Sequence, residues 1–260
     1  MSAISQAATR QEWDYTSLAS SYADRPGYSD SALDAVVAVA GLRRGDRVCD
    51  VGAGTGHLTV PLTARGLKVD AVEPNDAMRR IGGDRATGES VRWFNGTGEQ
   101  TSLSSGAYDA VTFGSSFNVT ERQLALLEAA RLLRPRGWFI CMWNHRDLQD
   151  PLQAGIESII RSHIPEYDPG IRRSDQSSEI RKSGLFDECV YLEGRQVHLV
   201  DRDRWANGWR SHATVQRQAG AAFDDIIGDI NRSLEGLPQT ISIPYTTRVW
   251  LARSRTNEGA

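Results

Sequence analysis

Three closely spaced glycines interrupt the apolar run Val48-Cys49-Asp50-Val51-Gly52-Ala53-Gly54-Thr55-Gly56. Glycine lets a backbone turn sharply and lets a ligand approach with no Cβ in the way. A helix that starts just after such a turn offers free N–H groups to a negative or polar ligand group. Glu73 ends the next apolar run, about twenty residues after Gly52, the spacing of a carboxylate that holds both hydroxyls of a ribose. Pro74-Asn75-Asp76 then opens another helix. The glycines do not form the dinucleotide fingerprint G-x-G-x-x-G, because Gly56 comes one place early and His57 stands where the third glycine belongs. No Lys-Ser or Lys-Thr follows them, which sets aside a P-loop.

These residues need a scaffold, and the pattern around them supplies one. From Arg47 to Trp143, short β-branched runs alternate with helical spacing, the mark of a parallel α/β sheet. The expected strands are Arg47–Val51, Lys68–Glu73, Val91–Phe94, Asp109–Gly114, Trp138–Trp143, Val190–Val200 and Ile243–Ala252. Leu33, Val36, Val37 and Ala40 follow helical spacing up to Gly41, as do Leu124, Leu127, Ala130 and Leu133 up to Pro135-Arg136-Gly137. The predicted fold is α/β: a Rossmann-like, doubly wound, mostly parallel seven-stranded sheet in one domain over 1–260. A helical insertion, 201–237, separates the last two strands, with Ile226, Ile227 and Ile230 as its apolar stripe. It packs either over the functional edge of the sheet as a lid or on the back as a plain hairpin.

Ligands of open α/β sheets bind outside the carboxyl ends of the strands. Ser115, Ser116, Phe117 and Asn118 are expected after the fourth strand, and Asn144 and His145 after the fifth. Trp205, Trp209 and His212 fall on one helix face at i, i+4 and i+7. That face lines an aromatic pocket or simply joins the core.

Composition removes several function classes. Of 260 residues, 24% are charged and 40% hydrophobic, with a net charge of -3, so wholesale disorder and a basic nucleic-acid surface are not expected. No apolar run is long enough to span a bilayer, and Met1 to Arg10 lacks the apolar core of a leader. Cys49, Cys141 and Cys189 have no metal spacing. The expectation is a cytoplasmic, metal-independent protein, monomer or homodimer, with a small-molecule partner.

Taken together, Asp50 to Gly56 and Val72-Glu73-Pro74 resemble the first two motifs of the class I S-adenosylmethionine-dependent methyltransferases. Gly96-Thr97-Gly98-Glu99, the run Asp109 to Asn118, and Leu133-Arg134-Pro135-Arg136-Gly137-Trp138 resemble their later motifs. Tyr22 to Tyr28, Trp143 to Asp147 and Ile243 to Thr247 look like a small-molecule subgroup that includes trans-aconitate methyltransferase-like proteins. Asn118-Val119 departs from that subgroup, where His followed by Trp is common.

The resemblance implies S-adenosyl-L-methionine as cofactor and a methyl transfer to an oxygen or nitrogen of a small molecule, with specialised metabolism as a setting. Cofactor contacts are expected from Tyr22, Asp50, Gly52, Ala53, Gly54, Thr55, Gly56, Glu73, Pro74, Met78, Gly98, Glu99 and Ser115. The segment 1–30 would cover the cofactor. Substrate contacts are expected from Tyr15, Arg25, Phe117, Asn118, Trp205 and Trp209. His145 is a base or a loop-orienting residue, and Asn144 an orienter beside it. The rivals are a catalytically silent cofactor binder and a nicotinamide-dependent reductase; the displaced glycine and the lack of a Tyr-x-x-x-Lys pair argue against the reductase.

Overall fold

The computed structural model describes residues 16–255; Tyr15 lies outside them. A seven-stranded sheet forms the centre, in the order β3-β2-β1-β4-β5-β7-β6. Its strands are β1 (Arg47–Val51), β2 (Lys68–Val72), β3 (Val91–Phe94), β4 (Tyr108–Gly114), β5 (Leu133–Arg146), β6 (Val190–Asp201) and β7 (Thr240–Arg253). β1 to β5 are parallel, and β7 runs antiparallel between β5 and β6. The central strands are covered on both faces, which is why they read as continuous apolar runs and not as alternation. The chain steps outward from β1 to β3 and returns to the centre for β4. Strand order therefore reverses between β1 and β4, which opens a crevice at their carboxyl ends.

The helices are α1 (Ala19–Tyr22), α2 (Asp30–Ala40), α3 (Thr59–Ala64), α4 (Asp76–Arg85), α5 (Arg122–Leu132), α6 (Pro151–His163), α7 (Ser177–Lys182), α8 (Arg202–Gly208), α9 (Ala213–Ala219) and α10 (Phe223–Leu234). Their ends follow from local chemistry. Asn75, Asp150 and Asp201 each accept a first-turn N–H of α4, α6 and α8, at 2.9–3.0 Å, satisfying donors that a helix start leaves bare. Gly41, at φ 65°, closes α2 in the left-handed region.

Two apolar clusters cover the two faces of the sheet. Leu33, Val36, Leu58 and Leu62 pack on one, and Leu126, Ala129, Phe113 and Phe139 on the other. A third cluster joins Ile156 and Ile160 of α6 to Ile226, Ile227 and Ile230 of α10, to Trp205 and Trp209 and to the start of β7. The predicted insertion thus exists as α8 to α10, and its isoleucine stripe is buried.

Two expectations about element ends are corrected. β5 does not stop at Trp143, because β7 pairs with it as far as Arg146↔Tyr245. Asn144 and His145 therefore lie within the strand, and Pro135-Arg136-Gly137 falls inside it as well. α3 starts at Thr59, so His57 belongs to the turn before the helix. Pro61 then falls in the first turn, where its missing N–H costs little.

Candidate active site

One cavity opens at the carboxyl ends of β1, β4 and β5, and Gly52, Ala53 and Gly54 form part of its wall. The turn is held from below: the N–H groups of Gly52 and Ala53 both donate to the Val72 carbonyl, at 2.8 and 3.0 Å. Gly52 and Gly54 adopt φ of 66° and 57°, values that L side chains avoid. The two glycines differ in surroundings. A Cβ on Gly52 would lie 2.4 Å from the Ser116 Cβ, whereas one on Gly54 would meet nothing nearer than the Gly52 carbonyl at 4.0 Å. Gly54 thus presents bare backbone to the cavity, the cradle that a close-lying cofactor requires.

Behind the turn, Glu73 is buried and its two oxygens accept the N–H groups of Gly54 and Asn75, each at 2.9 Å. Burial raises its pKa and these two bonds pull it back. Each oxygen keeps a further lone pair. Asp50 is fully buried and accepts from Thr59 Oγ1 at 2.7 Å and Thr112 Oγ1 at 3.0 Å; burial pushes it up to about 6. Ser115, at φ 60°, shares a 2.9 Å hydrogen bond with the Tyr28 hydroxyl. Thr55, Gly56, Glu73, Pro74, Met78, Gly98 and Glu99 lie beyond the cavity lining itself. Met78 is buried at the start of α4, and Glu99 accepts the Glu121 N–H at 2.7 Å.

Tyr22 and Arg25 of the N-terminal segment lie against His57 of the turn. Tyr22 meets His57 edge-on at 5.7 Å, and the Arg25 guanidinium stacks 4.3 Å from the Tyr22 ring. His57 bonds Thr55 Oγ1 and the Arg25 carbonyl, at 3.0 and 2.9 Å. This segment is also tied to the insertion. Asp24 accepts from Arg204 and Asn207, and Arg25 donates to the hydroxyl and carbonyl of Ser211. Trp205, Trp209 and His212 line the same cavity, with Trp205 edge-on to Trp209 at 5.9 Å and His212 stacked on Trp209 at 5.4 Å. The indoles are core on one side and cavity wall on the other. Residues of the insertion thus share the cavity at the carboxyl ends of β1, β4 and β5.

Several expected roles are revised. Phe117 is fully buried between Phe113 and Phe139 and supports the site from the core, so it is no substrate contact. Asn118 does line the cavity, yet its Oδ1 accepts the Trp143 indole N–H at 2.8 Å. Asn144 gives Nδ2 to the Gly27 and Pro26 carbonyls, and its Oδ1 accepts from Thr247. Asn144 lines the cavity too, and its polar atoms tie Pro26 and Gly27 to the sheet.

His145 lines the cavity, and its Nε2 is buried with no hydrogen-bond partner. Burial and the charges of Arg248, Arg173 and Arg172 hold its pKa down at about 4, below the 6.5 of a free imidazole. It is neutral at pH 7, with a free lone pair but weak basicity. A folded pKa below the unfolded 6.5 contributes stability that is full above 6.5 and lost as pH falls towards 4. His145→Asn should therefore flatten the loss of melting temperature between pH 6.5 and 4.5. His57, also pushed down to about 4 by burial and Arg85, keeps part of that slope in the variant. Unchanged pH dependence in the melts would mean that His145 is not desolvated.

The sequence reading missed the basic side of the cavity. Arg146, Arg172, Arg173 and Tyr245 all line it. Arg146 adjoins His145 in the strand and was within reach of a reading that carried β5 to its end. Arg172 and Arg173 lie in a short 3-10 turn between α6 and α7, and only the fold brings that turn to the site.

Residues 49–141 match the family described as a methyltransferase domain. An uncharacterized methyltransferase of Mycobacterium tuberculosis is 37% identical over 123 residues, 47% of this chain and 48% of that protein. A ubiquinone/menaquinone biosynthesis C-methyltransferase of Rubrivivax gelatinosus is 31% identical over 107 residues, 41% of this chain and 42% of its own. The aligned part thus spans about half or less of the length of these curated relatives. In three dimensions the chain is similar to a candidate type II methyltransferase of Anaeromyxobacter dehalogenans, with a TM-score of 0.61 and 19% identity over 89% of this chain and 98% of that one. The sheet, its order and these neighbours give the chain a Rossmann-like methyltransferase fold.

Proposed function

We infer that this chain, whose residues 49–141 belong with the methyltransferase domains of the class I S-adenosyl-L-methionine-dependent family, transfers a methyl group to an oxygen or nitrogen of a small molecule. The observation that carries this reading is the bare backbone of Gly54, open to the cavity and fixed from behind by Glu73 at the switch point of the sheet. Gly52, Ala53 and Gly54 would hold the cofactor's backbone-facing side, Glu73 its ribose, and Tyr22 and Ser115 its exposed flank. Bound there, S-adenosyl-L-methionine supplies an electrophilic methyl carbon on a sulfonium, which becomes a neutral thioether when the acceptor's lone pair takes the methyl.

The protein's own work is alignment and the exclusion of water. Orientation of the reacting atoms contributes up to about 7–11 kcal/mol in ideal cases. The Trp205 and Trp209 indoles exclude water from the cavity, and the Asp24–Arg204 pair and the Arg25–Ser211 bonds keep the insertion closed on the N-terminal segment. Neutral His145 can accept a proton from an acidic acceptor, but with a pKa of about 4 it adds little towards a hydroxyl or ammonium. The setting we favour is specialised metabolism of small molecules.

Mass spectrometry of a small-molecule acceptor panel, incubated with the full chain and S-adenosyl-L-methionine, tests the reading. A methylated product, dependent on the chain, supports it; cofactor binding with no product across the panel favours the silent binder. Among the described residues, no three His, Cys, Asp or Glu side chains group as metal ligands. Turnover should therefore survive chelation, and a loss of turnover restored by a divalent ion would contradict this.

A further inference from the structure

The cavity wall is rich in guanidinium donors. Arg25, Arg146, Arg172 and Arg173 all line it. Glu157 is the carboxylate that serves this group: it pairs with Arg146, and with Arg161 and Arg173 at 3.0 and 3.7 Å. The other two guanidiniums meet no carboxylate within ion-pair distance among the described residues. Arg25 spends its donors on Ser211, and Asp24 beside it is turned to Arg204. Arg172 reaches only the Tyr167 hydroxyl and His212 Nε2, both at 3.4 Å.

The Arg172 contact fixes the state of His212. A guanidinium has donors and no acceptor, so His212 Nε2 must accept from it. Burial and the charges of Arg172, Arg25 and Arg146 keep the imidazole neutral. Its single proton therefore sits on Nδ1, which is buried with no partner. A half-buried arginine without a counter-ion, next to an unsatisfied N–H, is an uncompensated arrangement. An anionic ligand would compensate it, and a guanidinium fork matches the two oxygens of a carboxylate or phosphate.

We propose that this wall is an oxyanion subsite, and that the methyl acceptor is a small molecule carrying a carboxylate or phosphate group held by Arg172. Arg25 and Arg173 flank that group, and the Trp205 and Trp209 faces cover the apolar part of the same molecule. The proposal rests on the methyltransferase reading for the word acceptor; the subsite itself rests on Arg172 and His212.

Calorimetry at constant ionic strength tests it, with glutarate, benzoate and glycerol 3-phosphate as probes and neutral glutaramide as control. Titrations use the full chain with and without S-adenosyl-L-homocysteine. At least one oxyanion should bind saturably at one site, with glutaramide silent, and the carboxylate and phosphate arms tell which source is preferred. Arg172→Gln should weaken that binding at least tenfold and Arg172→Lys less, while both keep S-adenosyl-L-homocysteine affinity within twofold of the parent, which also shows that they fold. No saturable binding of any of the three oxyanions, or equal binding to Arg172→Gln, overturns the proposal. Oxyanion binding without S-adenosyl-L-homocysteine binding would instead leave the subsite standing and remove the methyltransferase reading.

Discussion

With Glu73 in the proposed ribose role, Glu73→Ala should lower affinity for S-adenosyl-L-homocysteine by at least about tenfold, since a charge-assisted bond of that kind is worth about 1.5–3 kcal/mol. The structure adds a second cost. Glu73 accepts the Gly54 and Asn75 N–H groups, and both are left without that acceptor in the variant. An unsatisfied buried donor costs about 1–3 kcal/mol, so the melting temperature should fall as well. Glu73→Gln keeps one oxygen acceptor and should fall between the two. Calorimetry and thermal melts on the same samples separate the effects. Unchanged affinity in Glu73→Ala would remove this carboxylate from the cofactor site.

The two glycines of the turn should fail in different ways. Gly52→Ala places a Cβ 2.4 Å from the Ser116 Cβ at a φ of 66°. The left-handed conformation alone costs about 1–2 kcal/mol, and the collision forces the β4 end away from β1. A large loss of stability is expected, with cofactor binding lost as a consequence. Gly54→Ala meets no protein atom closer than 4.0 Å. It should pay only the conformational cost, yet block the cofactor because its Cβ occupies the approach. Gly54→Val should fold and bind still more weakly. If Gly54→Ala binds S-adenosyl-L-homocysteine like the parent, the cofactor does not lie against this turn.

These contrasts show which parts of the site were legible in the sequence. The glycine turn is local: its backbone requirement is written in consecutive residues. The sheet was legible for the same reason, because β1, β2 and β4 are short, nearly continuous buried runs between helical patterns. His145 shows the limit. Its position was visible, but its environment is set by Arg172, Arg173 and Arg248, which come from distant chain segments. The expected pKa was therefore the unperturbed one. Phe117 was misread because the short 3-10 turn after β4 points it into the core. The strand-end rule gives the place of a residue and not the direction of its side chain. Asn144 was expected beyond a strand end, but β5 continues past Trp143 alongside β7, and that pairing depends on a strand about a hundred residues later in the chain. The donor-rich wall was invisible for the same physical reason: no local pattern records that Arg172 and His212 meet.

The most direct test of the account is a calorimetric titration of S-adenosyl-L-homocysteine into the full chain, with NADH titrated in parallel. The account predicts saturable binding of S-adenosyl-L-homocysteine at one site, loss of that binding in Gly54→Val with the fold retained, and no binding of NADH. No saturable heat with S-adenosyl-L-homocysteine, or tighter binding of NADH, would contradict it.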